Sequence, residues 1–134
     1  MKGLDASLLL GLLEGDPSLR ALLRELRGHE VAATEIAFGE IALRAAAAPV
    51  RQRAARRLAL ERLRRKLTVL SIDSRAVAEA ARRAHAGSRL QDLPRLLEWG
   101  ALEANGCDVL YTRHPSVAGS GEKWRLRVTR IRGR

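Results

Sequence analysis

Two carboxylates stand where this chain is set to turn from strand into helix. The opening Lys2-Gly3-Leu4 reaches Asp5, and a leucine-rich run follows at once, with Ser7 placed to cap a helix. His29 to Thr34 is small and mostly apolar, as a buried parallel strand should be, and it ends at Glu35. If both strands run parallel, Asp5 and Glu35 reach the carboxyl edge of the sheet, where open α/β folds gather their ligands. Thr112, Arg113 and His114 leave a later strand at the same edge. Acidic groups crowded on one edge need a counter-charge, which a hard divalent cation such as magnesium or manganese supplies through oxygen ligands. A cation held there turns a bound water into a usable nucleophile and stabilises charge on a phosphate under in-line attack. The expectation is that Asp5 and Glu35 approach closely enough to share it.

The segments that must position these groups alternate in type. The sequence predicts helices over 7–14, 17–27, 35–48, 50–67, 75–86 and 92–105, and strands over 1–4, 29–34, 68–72, 109–111 and 124–131. Asp16 before Pro17 marks one helix start, Thr34 can cap another, and Pro49 interrupts the long helical stretch. The helix over 50–67 offers Ala54, Leu58, Leu60, Leu63 and Leu67 as an apolar side, with arginines filling the rest. From Trp124 to Ile131 apolar and basic residues alternate with a period of two, which reads as an edge strand with one wet, positive face. Alternation of this kind gives an α/β domain with a mostly parallel sheet and right-handed crossovers. A length of 134 residues is most simply one domain, 1–134.

Composition narrows the function. The net charge of +10 favours polyanions, chiefly nucleic acid, and Arg56, Arg57, Arg64 and Arg65 on the basic helix are candidate contacts to a nucleic-acid backbone. A GC-rich genome would enrich arginine as well, and arginines on a helix face are ordinarily just solvated. Few aromatic side chains are present, which argues against a base-stacking platform. A single cysteine, Cys107, excludes an internal disulfide and a cysteine-cluster zinc site. No apolar run is long enough to span a membrane, the start does not read as a signal peptide, and a cytoplasmic setting is the default expectation.

Three ordered pieces carry a family resemblance. Leu4-Asp5-Ala6-Ser7 resembles the first motif of PIN domains, the fold of VapC-type toxins in toxin–antitoxin pairs. Thr34-Glu35-Ile36-Ala37-Phe38-Gly39 is similar to their second motif, and Gly106 to Thr112 resembles the strand leading into the fourth. The resemblance implies a three-layer α/β/α sandwich, often dimeric, whose acidic cluster binds magnesium or manganese and hydrolyses RNA. It also implies a small antitoxin as partner, Asp5 and Glu35 as metal ligands, and Thr112 as a hydrogen-bonding support.

The third and fourth acids of the family would fall at Arg95 and His114. Asp92 lies one turn before Arg95 and is the expected third ligand, although an N-cap role ahead of Pro94 explains it equally well. Glu98, one turn after Arg95, reads as an ion-pair partner, and Glu40 as a residue of a solvated face. The acidic site is therefore either re-registered or decayed. The first choice is a metal-dependent endoribonuclease, and the alternative is a degenerate module that binds RNA or a protein partner.

Overall fold

The computed structural model of this chain describes residues 1–84, 86–113 and 124–132. Strands β1 (Lys2–Leu4), β2 (Val31–Thr34), β3 (Thr68–Leu70), β4 (Val109–Thr112) and β5 (Arg127–Arg130) form one sheet in the order β3-β2-β1-β4-β5. Each pairing between them is parallel. From β1 the chain builds outward through β2 to β3, then returns across β1 to lay down β4 and β5. The strand order therefore reverses between β1 and β4, and a crevice opens beyond the carboxyl ends of those two strands.

Helices cover the two faces: α1 (Ala6–Leu13), α2 (Arg20–Leu26), α3 (Glu35–Ala46), α4 (Val50–Lys66), α5 (Ser74–Arg83) and α6 (Leu93–Ala104). The two-residue period of the strands decides which face each side chain joins. Val109 and Tyr111 pack with Leu4, Leu8, Leu9, Phe38 and Ile41, beneath α1 to α4. Leu110 points the other way, into a cluster with Trp99, Leu102 and Cys107 beneath α6. The result is the α/β/α sandwich expected from the sequence.

Several details differ from the sequence reading. Asp5, not Ser7, is the N-cap of α1, and its side chain accepts the N–H groups of Ser7 and Leu8 at 3.1 and 3.4 Å. A carboxylate outcompetes a hydroxyl here because it also balances the partial positive charge of the helix start. The basic helix α4 has no buried residue: Leu60, Leu63 and Leu67 are only partly covered, and Leu58 is 52% exposed. It is an outer helix, so its apolar side is narrower than the spacing of its leucines suggested. The final strand is the expected edge strand, but it is restricted to Arg127–Arg130, with both terminal arginines exposed. His114 and the glycine–serine stretch at 119–121 lie outside the described residues.

Two glycines hold the second helical layer close. Gly3 of β1 faces Leu102 of α6, where a Cβ would stand 2.9 Å from the leucine Cδ2. Gly100 lets α6 approach the backbone of α5, because a Cβ there would stand 2.5 Å from the Ala76 carbonyl oxygen. Backbone cannot yield as a flexible side chain can. Gly100→Ala should therefore cost about 1–3 kcal/mol through overpacking, read as a lower urea midpoint with an unchanged slope.

Candidate active site

At the crevice beyond β1 and β4 lies a cleft of about 460 Å³. Its lining includes Asp5, Glu40 and Glu98, together with Arg44 and Arg95. Asp5 comes from the junction of β1 and α1, Glu40 and Arg44 from successive turns of α3, and Arg95 and Glu98 from successive turns of α6. Residues three and four apart share a helix face, so each helix presents one acid and one base to the cleft.

Asp5 is only 4% exposed, and its carboxylate is fully engaged. One oxygen takes the Ser7 hydroxyl and the helix-start N–H groups, and the other accepts the hydroxyl of buried Thr112 at the end of β4. The Ser7 hydroxyl in turn accepts the Arg113 backbone N–H at 2.9 Å. The Arg113 guanidinium reaches over Gly11 to Asp16 and Ser18, each at 2.8 Å. Hydrogen bonds from Ser18 and then Arg113 hold the Asp16 carboxyl down at about 2. The exit of β4 is thus tied to α1 on both sides of Asp5.

Glu98 is equally buried and accepts the Ala6 backbone N–H, while its Oε1 has no hydrogen-bond partner among the described residues. Burial, with Glu40 and Asp5 adding repulsion, pushes its carboxyl up to about 9. Glu40 is half-buried, and its carboxyl is raised by loss of water, against the opposing pull of Arg44.

Of the site residues expected from the sequence, Asp5 lines the cleft, and Thr112, fully buried outside the lining, hydrogen-bonds its carboxylate. Glu35, the first residue of α3, is exposed and does not line it. Five helical residues separate Glu35 from Glu40, about 140° around the axis, so one faces out where the other faces in. Asp92 closes the turn before α6 by accepting the Arg89 N–H at 2.8 Å, and it does not line the cleft either. Glu40, taken from the sequence as solvated, and Glu98, taken as an ion-pair partner, stand beside Asp5 instead. The Glu40-Ile41-Arg44 spacing was the available signal, since all three line the cleft as one face of α3.

The donor set suits a hard divalent cation, because it is made of carboxylates and includes a buried oxygen lacking a partner. Among the described residues, however, no three acidic, histidine or cysteine side chains already surround a single point. Binding therefore calls for rotation of the longer glutamate side chains.

A model of the PIN domain matches residues 3–96. Among solved structures, VapBC2 from Rickettsia felis bound to a promoter DNA fragment superposes with a TM-score of 0.75 at 12% identity, covering 96% of this chain and 97% of that one. DNA-bound VapBC from Salmonella typhimurium gives a TM-score of 0.72 at 14% identity, covering 97% of each chain. VapBC-5 from Mycobacterium tuberculosis, of the VapBC family of toxin–antitoxin systems, gives 0.63 at 23% identity, covering 98% of this chain and 97% of that one. At such identities the likeness is one of fold. No curated protein sequence matches the chain.

Two outcomes follow from the buried carboxyls. Thr112→Val removes a hydrogen bond to a buried carboxylate and should cost about 1.5–3 kcal/mol in denaturant unfolding. In EDTA, the unfolded chain releases the Glu98 proton near 4.5 while the folded chain keeps it until about 9. The unfolded state then binds fewer protons, so stability falls as pH rises through that interval. Glu98→Gln should flatten this decline in denaturation midpoints measured across the same range.

Proposed function

The chain belongs to the PIN domain family, and on that premise we propose that it is a metal-dependent endoribonuclease acting as the toxin of a toxin–antitoxin pair. The observation that carries this reading is the cleft at the strand-order reversal, where Asp5, Glu40 and Glu98 converge. These three would hold magnesium or manganese. Once bound, that cation would activate water and stabilise charge on the scissile phosphate.

The chain's own residues do the positioning. Thr112 and Ser7 fix the Asp5 carboxylate, so it meets its ligand without reorganising. The Ala6 N–H orients Glu98. Glu35 and Asp92, outside the cleft, take no part. Arg56, Arg57, Arg64 and Arg65 on α4 would hold the RNA backbone away from the cleft, and Arg57, Arg64 and Arg65 are exposed. No helix among the described residues is long and apolar enough to cross a membrane, and a cytoplasmic setting suits an RNA substrate. The likeness to structures whose names describe toxin–antitoxin systems supports a small antitoxin as partner, and a homodimer is the assembly that the family resemblance suggests.

A second reading has its own observation. Arg44 and Arg95 share the cleft with the acids and oppose a cation, as a degenerate module that only binds RNA or a protein would allow.

Cleavage of a mixed RNA pool with manganese decides between them. In the nuclease reading EDTA abolishes it, and Asp5→Asn lowers it by more than the roughly 10–100-fold typical of losing a supporting group. Thr112→Val should fall within that range. Calorimetric titration of manganese should lose its signal in Asp5→Asn and Glu98→Gln but keep it in Asp92→Asn. No manganese binding and no cleavage by the parent protein would leave the non-catalytic module.

Replacing Arg56, Arg57, Arg64 and Arg65 together with glutamine should weaken RNA binding for all sequences. The log–log salt slope should drop by about 0.7 for each phosphate that is no longer neutralised. Unchanged affinity would return α4 to solvent or to a protein partner.

A further inference from the structure

The cleft is layered by charge. Asp5 and Glu98 are each 4% exposed and form its floor, while Glu40 is half-buried. Arg44 is exposed on the α3 wall, whereas Arg95 is half-buried on the α6 wall with its Nη1 closed off from solvent. A phosphate entering from solvent meets Arg44 first, and Arg95 lies deeper, at about the level of Glu40. The arginines have the matching chemistry, because a guanidinium grips phosphate oxygens through two parallel N–H bonds. Arg95 is also held in place: its guanidinium carbon lies 5.2 Å from the centre of the Trp99 ring, and Trp99 is fully buried. A guanidinium braced on an indole has given up much of its freedom in advance, which lowers the entropy cost of gripping a ligand.

Formal charge points the same way. Acidic groups alone would disfavour a phosphodiester and leave its approach dependent on a metal ion. Two arginines among them bring the cleft to within one unit of neutrality.

We infer that Arg44 and Arg95, on facing walls of the cleft, form a phosphodiester clamp that seats the RNA backbone beside the carboxylates before, and independently of, any divalent cation. Resting on the ribonuclease reading, this gives the arginines the role of positioning residues. RNA then arrives first, and its phosphate can supply oxygen ligands to a cation taken up afterwards.

The test is equilibrium binding of a fluorescent single-stranded RNA in EDTA, where no cleavage is expected. The parent protein should bind. Arg44→Gln and Arg95→Gln should each weaken binding several-fold and lower the log–log salt slope by about 0.7. Arg95→Lys, which keeps the charge but not the paired N–H grip, should recover part of the affinity. The two effects should add to that of the four-arginine α4 variant, because the two surfaces meet different phosphates. Circular dichroism and the melting midpoint identify any variant whose fold is disturbed, and Arg44→Gln, on the exposed wall, stands apart from the Trp99 packing. Parent-level affinity and salt slope in both glutamine variants would overturn the inference and leave the arginines as counter-charges to the acids. So would an Arg95→Lys variant as weak as Arg95→Gln, or a parent that binds RNA only when manganese is added. Absence of manganese-dependent cleavage would defeat the nuclease reading alone, since the binding experiment contains no metal.

Discussion

The hydroxyl of Thr112 bonded to the carboxylate of Asp5 is the interaction on which the rest of this structure turns. It joins the ends of β1 and β4, neighbours in the sheet that are more than 100 residues apart in the chain. An ionised carboxylate is expensive to bury unless its oxygens are satisfied. Asp5 meets that condition with the α1 N-terminus on one oxygen and Thr112 on the other. The arrangement fixes a charged group at the reversal of strand order, where the parallel topology has already opened a crevice.

Around that anchor, chemistry and packing compete. Glu98 sits at the same depth but has only one backbone donor, so its carboxyl resists ionisation where that of a solvated glutamate would not. Its buried oxygen without a partner is a cost to stability that a ligand would relieve. Glu40 and Arg44, one turn apart on α3, moderate each other from the wall. The cleft is thus a mixed-charge site in which two guanidinium groups share the lining with three acids.

Elsewhere the excess positive charge divides into two kinds. On α4 it is solvated, as expected of an outer helix with a narrow apolar side. Between α5, α6 and β5 it is structural: Arg83 is buried between Glu79 and Glu103, and the Glu103 carboxylate also accepts the N–H groups of Arg125 and Leu126. That network fastens the edge strand to the second helical layer. Charges paired in this way already cancel within the total of +10, so that excess is carried by arginines outside the network.

Apart from the support by Thr112, which the family resemblance implied, the sequence by itself determined the order of elements, the parallel sheet and the place of Asp5 at a strand-to-helix junction. These follow from local signals: apolar runs of strand length, caps at strand ends, proline and glycine stops. It could not decide which glutamates join Asp5. Glu35 and Glu40 both lie early in a helix that follows a buried strand, and only the packing of α3 against α1 and α6 selects the face that turns inward. Asp92 and Glu98 differ in the same way, since a short turn from Leu90 to Asp92 precedes α6 and employs the aspartate in closing itself. One helical turn moves a side chain by about 5.4 Å along the axis. A site of this size is therefore settled by how helices dock, which sequence spacing alone does not specify.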